Sequence, residues 1–143
     1  MLKGLNPVLN AELLYGLASM GHGDEVALVD RNFPAASTAR RLIVLSGVDV
    51  LTAARAILTV LPLDTFVEEP VTRMEVVGDP SDVPVVQSEV LSACEAAENR
   101  SLRMGSLCRE AFYARARLAF AVVATSEARP YGCFLLTKGV INH

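Results

Sequence analysis

The sequence predicts an α/β domain: one mixed β-sheet with helices packed on both faces. Short apolar runs alternate with helix-spaced apolar patterns along the chain. Runs such as "EVALVD" and "AFAVVATS" are apolar at consecutive positions, as in strands covered on both sides. No internal repeat, low-complexity stretch or linker divides the 143 residues, a length that buries a substantial core as a single domain.

Asn10 is placed to cap a first helix, in which Leu13, Leu14, Leu17 and Met20 recur at helical spacing. Gly21 stands where a glycine ends a helix. "EVALVD", Glu25 to Asp30, reads as a buried strand, "RNFPAAS" as a loop and "RLIVLS" as a second strand. Asp49 is the expected cap of the next helix, whose apolar face is Val50, Leu51, Ala54, Ile57, Leu58 and Leu61 before Pro62 breaks it. "VTRMEVV", Val71 to Val77, reads as a third strand and "GDPSDVP" as a turn-rich connector. A third helix is expected from Val85 to Asn99, and a short strand at "SLRMG". The spacing of Leu107, Ala111, Ala114 and Leu118 predicts a core stripe on a helix from Ser106 to Leu118. "AFAVVATS", a turn at "EARPYG" and a last strand, "CFLLTKGV", complete the order.

Hydrophobic residues make up 52% of the chain and charged ones 20%. So much apolar surface with so few charges to cover it predicts a partner, most simply another copy of the chain. No apolar stretch approaches the ~18 residues needed to span a membrane. "MLKGLNPVLNAELL" has neither a long apolar core nor a cleavage site, so no export signal is expected. The net charge of −3 argues against nucleic acid, which calls for a basic stripe. Cys94, Cys108 and Cys133 are odd in number and widely spaced, which fits a reducing cytoplasm better than a disulfide framework or a zinc knot. Two histidines, one of them the final His143, leave little material for a multi-histidine metal site.

His22 is the most conspicuous candidate for chemistry. It stands between Gly21 and Gly23 in the loop from a helix to a strand, and imidazole, with an unperturbed pKa of ~6.5, is the side-chain type that gives and takes a proton near neutrality. A solvent-facing turn residue would look the same, but the bare neighbours leave room for a substrate. Asp30, at the carboxyl end of the first strand, lies where open α/β sheets bind ligands; capping the next turn is its ordinary alternative. Asp64 in "LPLDTF" carries the same two readings. Arg109 and Tyr113 are four apart, so they share a helix face, as a packed pair or as part of a site. Tyr131 in "RPYGC" either steadies a turn or points into a pocket. No phosphate loop, nucleophile elbow or metal-ligand cluster accompanies them.

Together these segments resemble the D-ribose pyranase and L-fucose mutarotase family. The resemblance runs through "MLKGLNPVLNAELLYGLASMGHGDEVALVDRNFPAAS", "LPLDTFVEEPVTRMEVV" and "REAFYARARLAFAVVATSEARPYGCFLLTKGV", with looser matching at 38–50 and 78–105. The ordered pieces M-G-H-G-D-E, D-x-N-F-P, L-D-T, F-Y-x-R-A and Y-G are specific, and several lean toward the fucose branch. The resemblance implies an α/β fold, interconversion of sugar anomers without a cofactor, and homo-oligomers from dimers to decameric rings with active sites at or near subunit contacts. It makes His22 the general acid, with Asp64 and Tyr113 as its catalytic companions. Asp30, Arg109, Met74, Tyr131 and Cys133 would bind the monosaccharide. Cys133 departs from the pattern, since the family usually reads Y-G-N. A thiol offers only a weak donor where an amide offers donors and an acceptor.

Anomer exchange needs a proton delivered to the ring oxygen and one removed from the anomeric hydroxyl, with both transfers reversed on closure. Two positioned groups suffice, each contributing roughly 10²–10⁴-fold. Ribose pyranase activity uses the same transfers, and a non-catalytic sugar-binding or uptake accessory would keep the same pocket.

Overall fold

Asn10 acts as expected: its side chain accepts a hydrogen bond from the Leu13 N–H at 2.9 Å and starts helix α1 (Ala11–Ser19). The computed structural model, which describes residues 1–142, continues with β1 (Glu25–Val29), α2 (Ala35–Thr38), β2 (Leu42–Leu45) and α3 (Val50–Leu58). Then follow β3 (Val71–Met74), α4 (Val85–Glu98), β4 (Met104–Leu107), α5 (Arg109–Leu118), β5 (Ala121–Thr125) and β6 (Phe134–Thr137). Asp49 caps α3 through the Thr52 N–H at 2.7 Å.

All six strands lie in one sheet, in the order β2-β5-β1-β6-β3-β4. β5 runs parallel to both β1 and β2, and β3 runs parallel to β4. Only β6 is reversed, wedged antiparallel between β1 and β3. Alternate residues of β1 feed the two sides of the sheet. Val26 and Leu28 join α1, α3 and α4 in the larger core. Ala27 and Val29 meet α5 and α2 in the smaller one. The fold is therefore the expected mixed sheet with helices on both faces.

The structure corrects several local readings. The loop after Pro34 contains α2, a single helical turn too short to show a periodicity. The third strand ends at Met74, because the chain turns away through the Val76–Asp79 bridge. The fourth strand extends to Leu107, since pairing of Met104–Leu107 with Val71–Met74 draws Ser106 and Leu107 out of the helix expected to start at Ser106. The Ser106 hydroxyl donates to the Glu75 carboxylate instead, and Cys108 precedes the helix. The predicted stripe on α5 is also wrong. Its buried residues are Phe112 and Ala116, whereas Leu118 is 74% exposed.

Candidate functional site

The carboxyl ends of β1, β3 and β4 and the amino end of β6 share one edge of the sheet. A cleft of about 230 Å³ opens there, and six of the predicted residues line it: Asp30, Met74, Arg109, Tyr113, Tyr131 and Cys133. Asn32, Phe33, Val77 and Pro130 complete the lining. Asn32 and Phe33 lie within the D-x-N-F-P piece of the sequence, whereas nothing in the sequence marks Val77 or Pro130.

Local hydrogen bonding fixes each wall. Asp30 is buried, and its Oδ1 accepts from the N–H groups of Asn32 and Phe33 at 3.0 and 3.1 Å. Its Oδ2 accepts from the Gly132 N–H at 3.2 Å, which ties the β1 turn to the loop before β6. Asp30 therefore both caps its turn and faces the cleft, and a carboxylate with about four acceptor sites keeps one for a ligand. A Cβ on Gly132 would crowd Glu127 Cγ at 3.2 Å while meeting Asp30 Cβ in ordinary contact at 3.5 Å.

On the opposite wall the Arg109 guanidinium lies 5.2 Å from the centre of the Tyr113 ring, and Tyr113 meets Phe33 edge-on at 5.0 Å. Tyr131 sits at φ +63°, a left-handed backbone that costs a residue other than glycine on the order of 1 kcal/mol. Its phenol oxygen accepts from the Val77 N–H at 3.2 Å. Cys133 closes the floor of the cleft. Burial, and then the nearby Asp30 charge, push its thiol well above the ordinary range, so it stays protonated.

His22 and Asp64 are not in this cleft. Both stand beyond the opposite end of β1, joined by a hydrogen bond of 2.9 Å between His22 Nε2 and Asp64 Oδ1. The five residues of β1 separate the two places by about 17 Å at ~3.3 Å per residue. Asp64 is buried and the His22 side chain is 39% exposed. Burial alone would raise the Asp64 carboxyl; the Phe66 N–H, the His22 ring and the Thr65 N–H outweigh it and hold the group below its usual value. With that carboxylate taking a proton donor at Nε2, the neutral ring leaves Nδ1 as an acceptor. Phe66, 75% exposed, packs edge-on against the imidazole at 4.7 Å.

The histidine loop is pinned by Lys138, which sequence reasoning missed. Its ammonium donates to the Leu17 and Met20 carbonyls at 2.9 and 2.7 Å, satisfying the exposed end of α1. Its own carbonyl accepts from the Gly23 N–H at 2.8 Å. Gly23 has φ +87° and needs to be glycine; Gly21 has no such constraint and simply leaves space. Among the described residues no group of three or more His, Cys, Asp or Glu converges as a metal site, and no helix is long and apolar enough to cross a membrane.

Residues 3–141 match the RbsD / FucU transport protein family. The chain belongs to this family. The chain is similar to the fucose mutarotase of Bos taurus, 45% identical over 150 residues, covering 99% of this chain and 95% of that one. The L-fucose mutarotase of Haemophilus influenzae (strain 86-028NP) is 40% identical over 140 residues, covering 98% and 97%. The fold of this family member superposes on the fucose mutarotase of Streptococcus pneumoniae, solved in complex with L-fucose, with a TM-score of 0.92 and 36% identity over 99% of this chain and 100% of that one.

Proposed function

We propose that this chain is a sugar mutarotase that interconverts the anomers of L-fucose, or of a closely related monosaccharide, by proton transfer between groups lent by two copies of the chain. The observation that carries this reading is the division of the site. The cleft holds hydroxyl-binding groups, and the proton-transferring imidazole lies exposed about 17 Å away, so a second copy is needed to unite them. The names of full-length relatives at 40–45% identity support the substrate and the reaction. A cleft of about 230 Å³ suits one sugar ring. It is smaller than the ~300–1,000 Å³ usual for larger ligands.

In this reading His22 of one copy reaches the cleft of the next and exchanges a proton with the ring oxygen. Asp64 keeps the imidazole oriented through its 2.9 Å contact with Nε2; being buried, it acts through His22 rather than on the sugar. Tyr113 serves the anomeric hydroxyl, and Asp30, Arg109 and Tyr131 hold the remaining hydroxyls. As the ring opens, the ring oxygen gains a proton and the anomeric oxygen loses one, leaving the aldehyde. After rotation about the bond to the carbonyl carbon, both transfers reverse and the other anomer closes.

Apolar surface flanks each half. Phe66 packs against His22, Val67 follows it in the chain and Val77 rims the cleft, all three exposed. Burying them against another copy offsets the cost of association. Three free thiols, Cys94, Cys108 and Cys133, fit a reducing cytoplasm.

Saturation-transfer NMR on L-fucose, D-ribose and D-galactose tests the reading. Acceleration of fucose anomer exchange is expected. Binding of fucose without acceleration would mark a sugar-binding accessory instead, and faster pyranose–furanose exchange on ribose would mark a pyranase.

A further inference from the structure

Something must hold Tyr131 in its left-handed backbone, and its phenol contact with Val77 fixes only the tip of the side chain. The backbone is held from α4. Gln87, in the first turn of that helix, is completely buried, and its Nε2 donates to the Tyr131 carbonyl at 3.0 Å. The same nitrogen donates to the carbonyl of Met74 at 2.8 Å. Carbonyl oxygens only accept, so the amide nitrogen must face them. The amide oxygen in turn accepts from Arg73 Nη1 at 3.3 Å, and a guanidinium only donates.

Arg73 is itself buried and is fixed by two more carbonyls, those of Asp82 at 3.1 Å and Pro80 at 2.7 Å. Neither end of the amide can turn without losing partners. Gln87 lies among Val86, Val90 and Cys94, the other buried residues of its helix, where an apolar side chain would pack as well. What an apolar side chain lacks is a donor for two carbonyls that meet at the base of the cleft.

We infer that Gln87 is a positioning residue for the sugar site. Its amide pins the backbone of Tyr131 so that the phenol faces the cleft. It touches no substrate. This rests on reading the cleft as the sugar site, and the test separates the two claims.

The test compares Gln87→Met, which matches the side chain in length but cannot donate, in the natural chain and in a Tyr131→Ala background. KM and kcat for fucose anomer exchange are read for all four proteins. Gln87→Met is expected to raise KM about tenfold and change kcat less than about threefold in the natural chain, and to change KM less than about twofold where no phenol remains to be placed. Equal factors in the two backgrounds, or an unchanged KM in both, would overturn the inference. If Gln87→Met does not fold, Arg73→Lys reads the same clamp by withdrawing the contact on the amide oxygen. A rise in KM confined to the Tyr131-containing chain is then expected, and an unchanged KM refutes it. A natural chain that exchanges no sugar overturns the activity while leaving the clamp to be read from fucose dissociation constants of the same four proteins. A chain that does not bind fucose either overturns both.

Discussion

Mixing two inactive variants separates a shared site from one contained in a single chain. His22→Ala removes the imidazole and leaves the cleft; Asp30→Ala removes a cleft carboxylate about 17 Å away and leaves the imidazole. Losing one proton-transfer group costs roughly 10²–10⁴-fold, so the His22 variant alone retains about 1% activity or less. When the two are unfolded together in equal amounts and refolded, subunits assort at random. Each site then draws an intact imidazole with probability one half and an intact cleft with probability one half. Roughly one quarter of the sites are whole, so activity should return to roughly a quarter of that of the natural protein, far above either variant alone. Saturation-transfer NMR on L-fucose measures it directly. Activity equal to the sum of the separate variants would refute the argument, because it would mean that His22 serves its own chain or does not serve the reaction.

Three further outcomes are expected. The Asp64 carboxyl is held below its ordinary 3.8 in the folded chain, so its ionised form stabilises the fold above that value, and the contribution disappears as pH falls through the lowered one. The stability gap between the natural chain and Asp64→Asn should therefore shrink as pH falls below about 4 in denaturant titrations; parallel curves from about pH 5 down to about pH 3 would refute this. Cys133→Asn restores a full hydrogen-bonding group to the cleft floor and should tighten fucose binding by on the order of 1 kcal/mol, about fivefold in Kd by calorimetry, with unchanged or weaker binding counting against it. A Cβ on Gly139 would fall 2.8 Å from Asp64 Cα and from the Leu63 carbonyl oxygen. Gly139→Ala should cost about 1–3 kcal/mol in chemical denaturation, and an unshifted midpoint would contradict the close approach.

Much of the fold was legible because local signals and packing agree. Asn10 and Asp49 cap the helices they precede, and α4 spans nearly the expected residues before Asn99 turns left-handed at its end. The misreadings lie where a distant partner decides. Ser106 and Leu107 fit the helical spacing that follows them, yet β3 recruits both into a strand. The α5 stripe misled because Phe112 and Ala116, four apart, fill the sheet face and turn Ala114 and Leu118 outward.

At the site, residue types were legible and their grouping was not. His22 precedes β1 and Asp30 follows it, so the five strand residues between them already held the signal that they lie apart. The clamping by Gln87 and Lys138 has no such signal. Both act on backbone carbonyls from remote segments, and no pattern of residue types records where those carbonyls go.

The reversed strand β6 has a mechanical consequence for the proposed shared site. Its amino end leads from Tyr131 and Cys133, while its carboxyl end passes the Asp64 backbone and runs into Lys138. If sites are shared between copies as proposed, this one short rod sets the height both of the cleft a subunit keeps and of the imidazole it lends. An insertion or deletion within 134–137 is then expected to spoil two reaction centres for each altered chain, which makes this the stretch least open to change in length.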